Sequence, residues 1–409
     1  MSASLLVVNI GQLLTLPAGG ADRLGVTRRA AVLIRDGRVA FAGPSDALGA
    51  EQRRGAATLD AGGALVTPGL VEPHAHPIFA GSRAGEFALR ARGATYIEVQ
   101  AQGGGILSTV RATAAASDAE LCDGARKRLR RLMAHGVTVC EAKSGYALDV
   151  EGELRLLRLL RRAADGLAID LSPTLLAHVV PPGVDRAAYV ARFADELVPR
   201  AAATEGGRRL AEACDVFCDQ GAFTLDETRR ILTAARAAGM ALRVHAEQLS
   251  HTGAALLGAE LGARSVEHLE HLTDEDIVAL ARAGTVCTLL PGAALTLRLP
   301  FPDARRLLDR GCTVALGTDL TPGSSYSENL PLMMSIACTQ MGMHIDEAWL
   351  GVTRAAARAV GREDAGHLQP GARGDLVVWN EEDHRELVQH LGMARATRLV
   401  IAGGEVPVG

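Results

Sequence analysis

Aromatic residues are scarce in this chain, 3% of 409 positions, and no apolar run approaches the roughly 18–20 residues that a membrane-crossing helix needs. The longest apolar stretch near the start, residues 4–8, is strand-sized. The N-terminal residues also lack the basic start and cleavage pattern of a signal peptide, so a cytoplasmic location is expected. There is no basic run of five or more residues, and the formal net charge is −4, which argues against a nucleic-acid partner. Paired cysteines are missing too. The seven present are odd in number and scattered, which suits free thiols in a reducing compartment. Cys214 and Cys218 stand four apart, as in some zinc sites, but no second pair follows, and they read as buried thiols. Gly103-Gly104-Gly105 does not form the G-x-G-x-x-G turn of a dinucleotide-binding sheet.

What remains is a soluble globular composition, 48% apolar and 22% charged, with enough chain to bury a large core without disulfides. The two ends read as β. Residues 5–9 and 31–34 are apolar runs, and Asp36-Gly37 is a hairpin signal between residues 31–35 and 38–42. Near the other end, Pro370-Gly371 and Gly374-Asp375 are turns, and residues 376–379 and 398–401 are strands. The economical arrangement brings residues 1–65 and 357–409 together in one small composite β-sandwich.

Residues 66–356 have a different rhythm. Short apolar strands at 137–141, 170–176, 215–218, 241–244, 265–267, 286–289 and 313–316 alternate with amphipathic helices. The helices are expected at 121–134, 151–164, 225–238 and 254–262, with apolar residues at three- and four-residue spacing. Such alternation implies a parallel sheet, and eight units close a (β/α)8 TIM barrel of α/β class. An open doubly wound sheet is the alternative.

Polar residues stand where barrel strands end, which is where barrels place their active sites. Gly69-Leu70-Val71-Glu72-Pro73-His74-Ala75-His76 runs from an apolar strand into His-x-His. In extended backbone, residues i and i+2 face the same way, so both imidazoles can reach one ion. Leu242-Arg243-Val244 leads to His245, residues 263–267 lead to His268, and Val314-Ala315-Leu316 leads through Gly317-Thr318 to Asp319. Each alone could be a satisfied core group. Their joint order, three imidazole sites and then a carboxylate, suits a divalent transition ion with an open position for water.

These motifs resemble the amidohydrolase superfamily, whose members join a (β/α)8 barrel to a sandwich built from both chain ends. Further blocks resemble the imidazolonepropionase family within it. They are Gly81-Ser82-Arg83, Phe87, Gly93-Ala94-Thr95-Tyr96, Gly103-Gly104-Gly105-Ile106 and Glu141-Ala142-Lys143-Ser144-Gly145-Tyr146. Leu289-Leu290-Pro291-Gly292, Pro322-Gly323-Ser324-Ser325, Glu328-Asn329 and Met333-Met334-Ser335-Ile336 belong with them. The resemblance spans nearly the whole chain.

The resemblance implies one ion per chain, Zn2+ or Fe2+/Fe3+, held by His74, His76, His245 and Asp319, with His268 beside the water. It implies substrate contacts at Arg83, Tyr96, Tyr146, His178 and Gln248, and near the last strand at Thr321, Gly323 and Ser324. At Thr321 an Asn is expected in many relatives, so one polar contact has a different donor here. The implied reaction is hydrolysis of the ring amide of 4-imidazolone-5-propanoate to N-formimidoyl-L-glutamate in L-histidine degradation. Asp319 would carry the proton, His268 would steady the water or oxyanion, and Arg83 would fork onto the propanoate. Carbamylated lysines bridge two metals in some barrel hydrolases; Lys143 reads instead as structural. The implied assembly is a homodimer.

Two alternatives carry different chemistry. An amidohydrolase-type deaminase needs a Glu three residues after the third histidine to protonate a ring nitrogen. Gln248 stands there and cannot shuttle a proton. A hydrolase of another cyclic amide would use the same centre. A non-enzymatic relative would have lost metal ligands, and none is missing from the sequence.

Overall fold

The computed structural model describes residues 4–19, 22–93 and 104–408. The chain begins with five strands, β1 (Ser4–Leu14), β2 (Val26–Arg35), β3 (Arg38–Pro44), β4 (Ala57–Asp60) and β5 (Leu65–Pro68). It continues through β6 (Leu70–Glu72), β7 (Val137–Lys143) and β8 (Asp170–Ala177), then a two-residue hairpin of β9 (Thr204–Glu205) and β10 (Arg208–Arg209). Five parallel strands follow: β11 (Ala213–Cys218), β12 (Ala241–Ala246), β13 (Ser265–His268), β14 (Val286–Leu289) and β15 (Thr313–Leu316). The last three strands are β16 (Leu376–Trp379), β17 (Ala396–Ile401) and β18 (Gly404–Val406).

Both chain ends meet in one eight-stranded sheet, in the order β18-β17-β16-β5-β1-β2-β3 with β4 also on β1. Strand β1 serves two partners on its second edge because it is broken between Val7 and Ile10, where Asn9 takes a positive φ of 54°. Before the break it lies parallel to β4, and after it parallel to β5. The Asp36-Gly37 turn has positive φ at both residues, the geometry that matches strand twist in a two-residue hairpin. The chain then passes from β5 into β6 at Gly69, where a side chain would overlap Thr138.

The second sheet is the barrel: eight parallel strands in the order β15-β14-β13-β12-β11-β8-β7-β6. Its crossover helices start where the sequence places caps. Ser117 and Glu120 form a reciprocal capping box on Asp118–Ala134, and Thr224 and Glu227 do the same on Leu225–Ala237. The helix Val150–Ala164 starts at Asp149, which accepts from Gly152 N, and buries Leu154, Leu157 and Leu160 against the strands. Several strands run one to three residues beyond their apolar segments. Strand β7 continues through Lys143, and β12 through Ala246.

Closure between β6 and β15 is made just past the strand ends. His76 N donates to Leu320 O at 3.0 Å, and Asp319 N donates to His74 O at 3.1 Å. The buried Glu72 carboxylate accepts from His74 N at 3.0 Å and from Thr318 N at 3.2 Å. The seam that closes the barrel therefore also sets the first and last candidate ligands side by side. The sheet and the barrel are stapled by Trp379, whose indole N–H donates to Thr67 Oγ1 at 2.9 Å and whose ring packs edge-on to Trp349.

Candidate metal centre and substrate cleft

The barrel interior is polar at this end, because alternate residues of each strand point inward. Strand β6 and its exit present Glu72, His74 and His76; β7 presents Glu141 and Lys143; β11 presents Asp215; β12 presents Arg243 and His245; β13 presents Glu267. All of these are buried. Two candidates sit on strained backbone: His268 at φ 79° and Asp319 at φ 58°. Non-glycine residues rarely hold this left-handed conformation, which costs about 1–3 kcal/mol and concentrates at functional sites.

The geometry fits a metal ion. His74 Nε2 and His76 Nε2 lie 3.2 Å apart, and Asp319 Oδ1 lies 3.3 and 3.5 Å from them. A tetrahedral ion bound at about 2.0–2.1 Å sets its ligand atoms roughly 3.3–3.4 Å apart. His245 and His268 offer ring nitrogens that cluster with one of His74 within 4.8 Å. Without a cation, two buried imidazole nitrogens and a carboxylate would face one another with protons to share. Burial and Lys143 push the His74 imidazolium down, but Glu267 and Asp319 more than offset them and draw its pKa up to about 9. Burial alone would raise the Asp319 carboxyl, yet hydrogen bonds from His74 and His76 hold it well below its usual range. His76 and His245 are pushed down, chiefly by burial, which leaves them neutral and able to act as ligands.

Behind the histidines stands a ring of carboxylates that sequence reasoning missed. Asp215 Oδ2 is 2.9 Å from His245 Nδ1, and Glu267 Oε2 is 2.6 Å from His74 Nδ1. Both approaches are close but lie off the ring N–H axis. The signal was available: acidic residues in the middle of apolar barrel strands must face inward and need partners. Lys143 Nζ lies among Asp215, Glu141 and Glu267 at 2.7, 2.9 and 3.1 Å. His268 Nδ1 is 3.7 Å from Glu270 Oε1.

Above the centre opens a cleft of about 680 Å3, lined by Arg83, Tyr146, His178, Gln248, Thr321, Gly323 and Ser324 among others. Of the residues expected to contact substrate, it brings together all but Tyr96, which lies outside the described residues. His178 stacks on His76, and its Nδ1 donates to Gly145 O at 3.1 Å, leaving Nε2 as an acceptor. Burial pushes its pKa well down. Tyr146 OH and Thr321 Oγ1 share a hydrogen bond of 2.7 Å. Ser324 Oγ donates to Asp319 Oδ2 at 2.9 Å, so the two oxygens of Asp319 have different tasks. Gln248 is held by its backbone N–H to Asp219 at 3.0 Å. The neighbouring Glu247 is turned away, its carboxylate capping the turn at Thr252 and Ala255.

Arg83 has a partner the sequence did not disclose. Its Nε and Nη2 bond Glu86 Oε2 at 2.8 and 2.7 Å. Glu86 Oε1 also accepts from Gly105 N and Ser108 Oγ. The clamp aims the guanidinium at Gly323, where a side chain would overlap it.

Comparisons with known proteins bear on the family and the fold. Residues 100–407 match the model of the amidohydrolase family. The chain is 46% identical to the imidazolonepropionase of Myxococcus xanthus, over 99% of this chain and 97% of that protein. It is 41% identical to the imidazolonepropionase of Geobacillus kaustophilus, over 99% and 98%. Among solved structures, a zinc-complexed atrazine chlorohydrolase from Arthrobacter aurescens superposes with a TM-score of 0.74 at 18% identity, covering 98% of this chain and 94% of that one. A zinc-bound adenosine deaminase from Xanthomonas campestris gives 0.73 at 19%, covering 98% and 92%. At these identities the structural likeness speaks for the fold.

Proposed function

The chain belongs to the imidazolonepropionase family of the amidohydrolases and is a hydrolase of cyclic-amide C–N bonds, and from that premise we propose how its residues open the ring of 4-imidazolone-5-propanoate. The observation that supports the reading best is a ligand cluster with tetrahedral edge spacing, lying beneath a cleft that ends in a clamped arginine. We assign one ion per chain, Zn2+ or iron, to His74, His76, His245 and Asp319. When bound, such an ion supplies Lewis acidity and brings the pKa of water toward neutrality.

The protein's own groups do the rest. Arg83, fixed by Glu86, presents its remaining N–H groups to the propanoate as a fork. Tyr146 and His178 border the ring, with the Tyr146 hydroxyl oriented by Thr321 and His178 Nε2 free to accept a ring N–H. Asp319 takes the proton of the attacking water as the new C–O bond forms at the ring carbonyl. It returns that proton to the ring nitrogen as the C–N bond breaks, so the ring opens with one water consumed. Ser324 keeps Asp319 oriented through Oδ2, and His268 steadies the developing oxyanion. Glu247 is committed to backbone donors and Gln248 has no proton to give, which disfavours deamination. The working form assigned here is a cytoplasmic homodimer.

The test is direct. Purified protein incubated with 4-imidazolone-5-propanoate should yield N-formimidoyl-L-glutamate, with one ion per chain by elemental analysis. No ring opening, or ammonia release from guanine or cytosine in its place, would overturn the reading.

A further inference from the structure

We propose that Lys143 is a positioning residue of the metal centre: as an ammonium it gathers the two carboxylate oxygens that face His74 and His245, and so sets the directions of both rings. The argument is one of shared atoms. Lys143 Nζ bonds Asp215 Oδ2 at 2.7 Å and Glu267 Oε2 at 3.1 Å. Those same two oxygens lie 2.9 Å from His245 Nδ1 and 2.6 Å from His74 Nδ1. One buried cation thus touches the supports of two ligands that come from different strands, β12 and the exit of β6.

The oxygens press against both Nδ1 atoms at 2.6 and 2.9 Å, so where they stand bears on where the rings point, and two buried carboxylates without a cation between them would repel and part. The support of a ligating histidine commonly sets its orientation and basicity. Here one side chain supports two of them.

Asp215, His245 and Glu267 are also spaced to surround a cation, and Lys143 Nζ already bonds two of the three. Glu141 adds a third carboxylate at 2.9 Å. Burial would deprotonate the lysine, but Asp215, Glu141 and Glu267 reverse that and keep it charged. The ammonium thus stands among the carboxylates where a second cation would otherwise have to sit.

The inference rests on His74, His76, His245 and Asp319 being the ligands, and the test separates the two. Removing Lys143 alone would strand three carboxylates, so the informative variant is E141Q/K143M. It keeps the net charge of the cluster and leaves both carboxylates and both histidines in the sequence, so only the ammonium between them is lost. Zn2+ affinity is read by competition with a chromophoric chelator, and ligand geometry by the visible spectrum of the Co2+ form. E141Q, whose side chain also meets Ala75 N between His74 and His76, is the reference for the change at 141; relative to it, E141Q/K143M should lose roughly 10–100-fold in Zn2+ affinity with a shifted Co2+ spectrum. E141Q/K143Q, which keeps a donor near the carboxylates, should fall between them, and it carries the test if the methionine variant does not fold. A folded double variant with unchanged affinity and spectrum overturns the proposal and leaves Lys143 as a charge balance. H74A is the control for the ligand reading: if it still binds Zn2+ tightly, that reading fails, whatever Lys143 does.

Discussion

Replacing Arg83 by alanine puts the substrate reading under the most direct strain. The side chain is 10% exposed, and Nε and Nη2 are engaged by Glu86, which leaves the Nη1 protons and one on Nη2 for a ligand carboxylate. A charge-assisted hydrogen-bonded pair is worth about 1.5–3 kcal/mol. At roughly 1.4 kcal/mol per tenfold, R83A should lower kcat/KM about 10–100-fold. Fold stability should barely change, because Glu86 keeps Gly105 N and Ser108 Oγ as donors and is not orphaned. R83K should fall between, since an ammonium cannot reproduce the fork. G323A should imitate R83A while leaving the arginine in the sequence: no positive φ is required at 323, and the nearest atoms the added methyl would meet are those of the Arg83 guanidinium, which it would push off its line. The assay compares the propanoate substrate with an analogue whose tail is a carboxamide. If Arg83 reads the carboxylate, R83A and G323A should harm turnover of the acid far more than that of the amide. Equal losses on both would refute the reasoning and reduce Arg83 to a loop support.

Asp319→Asn should lower kcat by about 10²–10⁴-fold, the usual yield of one placed acid–base group, and a metal-loaded D319N with near-normal kcat would move the proton to His268. Zinc binding should depend on pH. The proton that His74 holds up to about 9 must leave first, so apparent affinity should rise with pH and level off near that value. A flat profile between pH 6 and 9 would contradict the His74 assignment. For the apo protein the sign is opposite. A raised histidine pKa contributes stability that is full below the unfolded value of about 6.5 and is lost as pH rises through about 9, so apo thermal stability should decline over that window. Trp379→Ala should cost about 3–5 kcal/mol in urea unfolding, because it empties the joint where its ring packs on Trp349 and removes the hydrogen bond to Thr67; KM measured on the surviving folded fraction should not move.

Much of this molecule is legible along the chain. Alternation of short apolar strands with capped amphipathic helices depends on local propensities and side-chain periodicity, and these operate within one or two turns of the residue concerned. Ser117 with Glu120, and Thr224 with Glu227, start helices by contacts three residues apart. His74 and His76 share a face because extended backbone repeats every two residues. His245 and Asp319 announce themselves by ending apolar segments in a fold whose strand ends are its active site.

Other features exist only once the barrel closes. Asp215, Glu267 and Lys143 are up to 124 residues apart in sequence, yet they share one ammonium. Read singly, each is a charge in an awkward place, and Lys143, with no second metal-bridging pattern in the sequence, reads as structural. Glu86 lies three residues from Arg83, a spacing that is unremarkable until the cleft shows which way the guanidinium points. The pairing of Tyr146 with Thr321 spans 175 residues and turns an unexpected threonine into a hydroxyl partner. The sequence by itself determined the elements and the candidate ligands, since both follow from local pattern. Tertiary structure alone decided which charges neutralise which, because burial removes water as the default partner and leaves each buried group to whatever the fold brings within 3 Å.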